Sequence, residues 1–157
     1  MSNPVNHPDH YNQGPIECID FLDWTGDVVP FSLESAKKYL WRCPDKHGLQ
    51  DLEKALWYLN YAYRQRVREP QWVKWCRQWL AYLNPPAVQD IDAVLDEAKI
   101  FHQRNVFQCL FLYSKTGHLI HLEYAIGQLQ FNIHVAEQEE RKAMIQQAEA
   151  ELNEATH

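Results

Sequence analysis

Between Leu49 and Arg68 apolar side chains recur every three or four positions, at Leu52, Ala55, Leu56, Leu59 and Tyr63, with no proline or glycine among them. Residues at those intervals share one face of a helix, so this segment must be an amphipathic helix that buries that face against partners. The punctuation around it organises the rest of the chain. Pro44 and the turn DKHG precede it, and Glu69-Pro70 closes it, because proline cannot continue a helix. Upstream, Ser32 is placed to cap a helix over about Leu33 to Cys43, with Leu33, Ala36 and Leu40 on one side. Downstream, Trp72, Trp75, Cys76, Trp79, Leu80 and Leu83 trace a stripe over residues 71–83 that stops before Pro85-Pro86. A tryptophan stripe at helical spacing is expected to be core.

Val88, Ile91, Val94, Leu95 and Ala98 mark a further helix. The stretch NVFQCLFLYSKTGHLIHLEYAIG reads either as two helices split at Gly117 or as a small hairpin near 107–122, since short apolar runs do not discriminate. The rhythm Leu119, Leu122, Ile126, Leu129, Ile133 favours helices. It fades through Ala136, Glu140 and Ala143 into a polar tail, and a polar last helix either packs against another subunit or frays. At the other end, a short helix carrying Ile16, Ile19 and Leu22 starts at Pro15 and stops by Gly26. Residues 3–15 hold three prolines and a glycine, which forbids a helix and predicts an extended arm. The expected fold class is mainly α: a compact multi-helix single domain with an extended N-terminal arm.

Apolar residues make up 46% of the 157, enough to build a core. The net charge of -6 argues against a general nucleic-acid binder, which needs a basic face for phosphates. Met1 to Asp20 has neither a basic start nor an apolar run, and no stretch approaches a membrane span, so a cytoplasmic protein is expected. Cys18, Cys43, Cys76 and Cys109 form no Cys-x-x-Cys pair and read as buried thiols in a reducing compartment.

No glycine-rich phosphate loop, serine elbow or H-E-x-x-H motif is present, and the five glycines are scattered. Any phosphate chemistry must therefore use side-chain cations. Four features offer chemistry. His7, His10 and Tyr11 crowd the arm with hydrogen-bonding and stacking groups at a spacing that also suits a metal, or else simply pin the arm to the core. Glu17, Asp20 and Asp23 form an acidic stripe, either a solvated face or ligands for Mg2+. Lys38 and Arg42, four apart, share a face beside the turn bearing Lys46, as a phosphate clamp or a surface strip pairing with Glu34. Asp51 lies in a first helical turn, where a carboxylate suits the dipole, and Lys54 and Tyr58 are positioned to line one cleft.

Taken in order, HPDHY, IECID, FSLESAKKYLWR and DLEKALWYL resemble the HPxHY, IExID, KYxxR and DLxKAxWYL elements of a phage family of small nucleotide-kinase-like proteins. That family includes a nucleotide kinase of a T-odd coliphage that lacks a P-loop. The resemblance covers about residues 5–63 and carries over His7, His10, Tyr11, Glu17, Asp20, Lys38, Tyr39, Arg42, Lys46, Asp51, Lys54 and Tyr58. It implies nucleotide binding and phosphoryl transfer to a deoxynucleoside monophosphate. Lys38, Arg42 and Asp51 are then the catalytic candidates, and His7, His10, Tyr11, Lys46, Lys54 and Tyr58 the nucleotide-binding ones. Glu17 and Asp20 would hold Mg2+. The implied organisation is a site region over 1–65 and a helical extension over 66–157, packed in the same domain and available for homo-oligomerisation.

This chain departs from the family at Glu34-Ser35, where Gly-Asn is usual, and at Cys43-Pro44-Asp45-Lys46, where Ala-Gly-Lys-Lys is usual. The losses weigh against catalysis more than against binding. A non-enzymatic phage protein that sequesters a nucleotide or inhibits a host protein is therefore the alternative. A helical Mg2+-dependent pyrophosphatase ranks last, because Asp51-x-x-Lys54 supplies no second acidic pair. All readings share one geometric expectation: the arm folds over the cationic helix to enclose a small anion.

Overall fold

A computed structural model describes residues 31–86, 90–100 and 102–155. The expected arm and first short helix lie outside them. The described residues form six helices: α1 (Phe31–Arg42), α2 (Leu49–Val67), α3 (Gln71–Leu83), α4 (Ile91–Glu97), α5 (Arg104–Thr116) and α6 (Leu119–Ala155). Helices α1 and α2 form a hairpin joined by the turn at 43–48, and α6 packs on both α2 and α5.

Helix α1 is central. No residue from Ser32 to Cys43 is exposed, and even Lys37 is buried, pairing with Glu34 at 3.3 Å. Lys38, Tyr39 and Arg42 are half-buried rather than exposed, so the cationic side of α1 is not an open surface strip. Ser32 does not cap it. The helix already includes Phe31, and the buried Ser32 hydroxyl finds no hydrogen-bond partner.

On α2 the predicted stripe is inside: Leu52, Ala55 and Leu59 are buried, and Leu56 and Tyr63 pack half-buried against the same core. That core is one cluster, drawing on Leu33 to Ala62 from the hairpin and on Ile91 to Ile133 from the later helices. Asp90 caps α4, its Oδ1 accepting from the backbone N–H of Asp92 and Ala93. Arg104 then ties α5 back to α4 through Asp92 and Asp96.

The segment left open between a hairpin and two helices is two helices. Gly117 separates them at φ 69°, its N–H bonding the Tyr113 carbonyl at 2.7 Å. A side chain there would be strained, and its Cβ would meet the backbone of Gln78 at 3.0 Å. Helix α6 has 37 residues, which makes it about 55 Å long. Only its first half is anchored, by Leu122, Ala125, Leu129 and Ile133, while every residue from Glu139 to Asn153 is exposed. Among the described residues no helix is long and apolar enough to cross a membrane.

His102, between α4 and α5, reaches across to α1, with Nε2 3.2 Å from the Leu40 carbonyl. A carbonyl only accepts, so Nε2 carries the proton. Burial pulls the imidazole pKa below its ordinary 6.5, outweighing the backbone hydrogen bonds and Asp45, which pull it up. Because the folded chain disfavours the proton, the stabilising contribution is complete above about 6.5 and drains away as pH falls below it. Acidification from about pH 7.5 to 5.5 is expected to lower the thermal midpoint. His102→Gln, which keeps a donor but cannot titrate, is expected to flatten part of that decline in circular-dichroism melts, leaving a share to His121, whose pKa is also lowered by burial. An unchanged pH slope in the variant would remove His102 from the account.

Candidate functional site

Arg42 ends α1 and Asp51 lies in the first turn of α2. A cation at a helix C-terminus and an anion at a helix N-terminus each complement the local dipole, so the hairpin turn brings two favourably placed charges face to face. They meet as a two-pronged pair: Arg42 Nε donates to Asp51 Oδ2 and Nη2 to Oδ1, both at 2.9 Å. The Asp51 side chain is 0% exposed and that of Arg42 12%. Lys54, one turn further along α2, lies 3.7 Å from Asp51 Oδ1 and donates to Gln50 at 3.0 Å.

The centre of the cluster is an aromatic ring. Arg42 Cζ lies 4.4 Å, Lys38 Nζ 5.3 Å and Lys54 Nζ 5.8 Å from the centroid of Tyr39. Tyr39 stacks on Tyr58 at 5.7 Å, Trp57 meets Tyr58 edge-on at 5.0 Å, and Trp57 stacks on Tyr61 at 5.7 Å. Cations over a ring face are attracted by its quadrupole, about 0.5–2 kcal/mol each depending on desolvation. That attraction helps to offset their mutual repulsion. Among the described residues, three cations (Lys38, Arg42, Lys54) less one carboxylate (Asp51) give a local charge of +2 in a chain whose total is -6. Among the described residues Lys38 pairs with no carboxylate. The arrangement suits an anion that also carries a flat ring.

The structure thus gathers Lys38, Arg42, Asp51, Lys54 and Tyr58, which the sequence had assigned to two separate features, around Tyr39. Lys46 is exposed on the turn between α1 and α2. His7, His10, Tyr11, Glu17 and Asp20 lie outside the described residues. Asp51 is engaged with Arg42, and among the described residues no group of three or more His, Cys, Asp or Glu side chains is arranged to hold a metal. The Mg2+ expectation therefore rests on Glu17 and Asp20.

Cys43, beside this pair, is not a nucleophile. Burial, followed by the charges of Asp51 and Asp45, pushes its thiol pKa up to about 12, so it stays protonated. Its sulfur donates to the Leu40 carbonyl at 3.3 Å. Burial as expected holds for Cys43 but not for Cys76, which is exposed on α3.

Sequence reasoning missed Trp57 and Tyr61. Their signal was present: both fall off the Leu52–Leu56–Leu59–Tyr63 stripe and four residues apart, which places an aromatic pair on the outer face of α2.

A family described only as proteins of unknown function (DUF3310) matches residues 5–60. That stretch contains every site residue singled out in the sequence, leaves Tyr61 just outside, and ends inside α2. Among curated proteins and solved structures, none matches the chain.

Proposed function

We propose that this chain binds a nucleotide at the Tyr39 cluster, with Lys38, Lys54 and Arg42 facing the phosphates and the Tyr58–Trp57–Tyr61 series offering ring surfaces for the base. The observation that carries the reading is the convergence of three cations from two helices on one tyrosine ring. Asp51 acts in this scheme as a positioning residue: it fixes the Arg42 guanidinium and tempers the local charge. Lysine offers phosphate a compact charge and arginine a planar fork, so the set needs no glycine-rich loop.

Phosphoryl transfer to a deoxynucleoside monophosphate extends the same reading and follows from the likeness to nucleotide-kinase-like phage proteins. It would recruit the carboxylates Glu17 and Asp20 and the arm residues His7, His10 and Tyr11. Sequestration of a nucleotide without turnover is the simpler form of the proposal, and the engagement of Asp51 by Arg42 favours it.

Titration calorimetry with each deoxynucleoside monophosphate and with ATP, with and without Mg2+, is expected to show saturable heat. Lys38→Ala/Lys54→Ala should weaken binding about tenfold or more, since charge-assisted contacts are each worth about 1.5–3 kcal/mol. A coupled turnover assay on the same mixtures separates transfer from capture. If no nucleotide gives heat at millimolar concentration, the proposal fails in both forms.

A further inference from the structure

Helix α3 is docked the wrong way round for an amphipathic helix on a globular body. Its polar side faces inward. Lys74 donates to the Val67 carbonyl at 3.0 Å, Arg77 pairs with Glu69 at 2.5 Å, and Gln78 lies 3.2 Å from a ring nitrogen of His118. Arg66 reaches the same Glu69 oxygen at 2.7 Å, and Gly117 lets the Gln78 backbone approach. Of the thirteen residues of α3 none is buried, and the apolar side is turned to solvent: Trp72, Trp75 and Trp79 are each about two thirds exposed and Tyr82 is 80% exposed. The expectation that this tryptophan stripe is core is overturned. The physical reason is that Glu69, the Val67 carbonyl and His118 engage Arg77, Lys74 and Gln78 and hold the polar face of α3 inward, which turns its tryptophans to solvent.

We infer that the tryptophan face of α3 is the interface with a second copy of this chain, paired antiparallel about a two-fold axis near residue 77. This surface lies outside the nucleotide-site proposal and stands without it. Three observations select a second copy over other occupants. The first is the spacing. Residues 72, 75, 79 and 82 follow the three-four alternation of a coiled-coil seam. About residue 77 the seam is symmetric, so Trp72 of one copy falls opposite Tyr82 of the other and Trp75 opposite Trp79. Self-complementarity of that kind is what a two-fold interface requires.

The second is area. An aromatic side chain offers about 150–250 Å2, so the exposed shares of the three tryptophans, Tyr82, Leu80 and Leu83 come to roughly 550–800 Å2. A standard interface takes about 800 Å2 from each partner. The third is charge. The stripe carries no acidic or basic side chain, so two copies of a chain with net charge -6 meet there without opposed charges. The same net charge disfavours an anionic bilayer or a nucleic acid as the occupant.

Cys76 is exposed on this side, one residue from the two-fold. Sedimentation equilibrium of the full chain is expected to give twice the 18.6 kDa chain mass at micromolar concentration. Trp75→Glu/Trp79→Glu, which would set four carboxylates against one another in the seam, should raise the dissociation constant about a hundredfold or more, with far-UV circular dichroism unchanged. A short bismaleimide should join two wild-type chains, and Cys76→Ser should abolish that link. A wild-type chain that stays monomeric at all concentrations overturns the inference. So does a dimer indifferent to the glutamates and not joined through Cys76. Binding of the monomer to phosphatidylserine vesicles or an oligothymidylate, lost in the double glutamate variant, would assign the face to that ligand and overturn it equally.

Discussion

Asp51→Ala is expected to cost about 3–5 kcal/mol of folding stability, the range for removing one partner of a buried ion pair. The loss would not be that of a contact alone. Asp51 is fully enclosed and Arg42 nearly so, so truncation takes both carboxylate contacts from a guanidinium that sits with Lys38 and Lys54 around Tyr39. Among the described residues the local charge would rise from +2 to +3 in a half-buried place. Urea denaturation of the variant measures the effect, and a loss under about 1 kcal/mol would show that solvent screens the pair as it screens a surface one.

A second substitution separates stability from function. Arg42→Met/Asp51→Leu removes both charges together, and a buried pair replaced by apolar residues of similar size is often neutral or stabilising. The double variant should therefore fold nearly as stably as the parent, while nucleotide heat falls because the fork is gone. If it folds and binds undiminished, Arg42 has no part in ligand capture and the ion pair only fastens the hairpin.

The ends of the helices were readable because proline writes them plainly. Pro44, Pro70 and the pair at 85–86 delimit α1, α2 and α3. The inward faces of α2 and α6 were readable because their apolar residues outnumber any alternative stripe. Periodicity shows that a helix has a greasy side, yet it does not say what that side touches. On α3 the decision was made by Glu69 and His118, which lie on other elements. The candidate site was half legible for a related reason. Lys38 and Arg42 share one helix and Asp51 and Lys54 another, and each pair is visible by its spacing. Their meeting over Tyr39 depends on how the 43–48 turn closes the hairpin, which no local pattern reports. Ser32 shows the converse: a good cap residue in sequence lost that role once the helix gained one residue before it.

Leu129→Ala is expected to destabilise the fold by about 2–5 kcal/mol. Its side chain is fully buried in the first half of α6, in the row with Leu122, Ala125 and Ile133. That row holds α6 against both α2 and α5, so a cavity there loosens the α1–α2 hairpin and the later helices at once. Ending the chain after Gln138 removes more residues but should change stability by no more than about 0.5 kcal/mol, because side chains that stay exposed to solvent contribute little. The removed turns include Met144, Ile145 and Leu152, all more than half exposed. The two variants thus test whether one continuous helix contains a structural half and a projecting half. Chemical denaturation with tryptophan fluorescence as the probe gives the answer. Equal losses in both would mean that the projecting half is anchored in solution, and α6 would then have to be reread as core along its whole length.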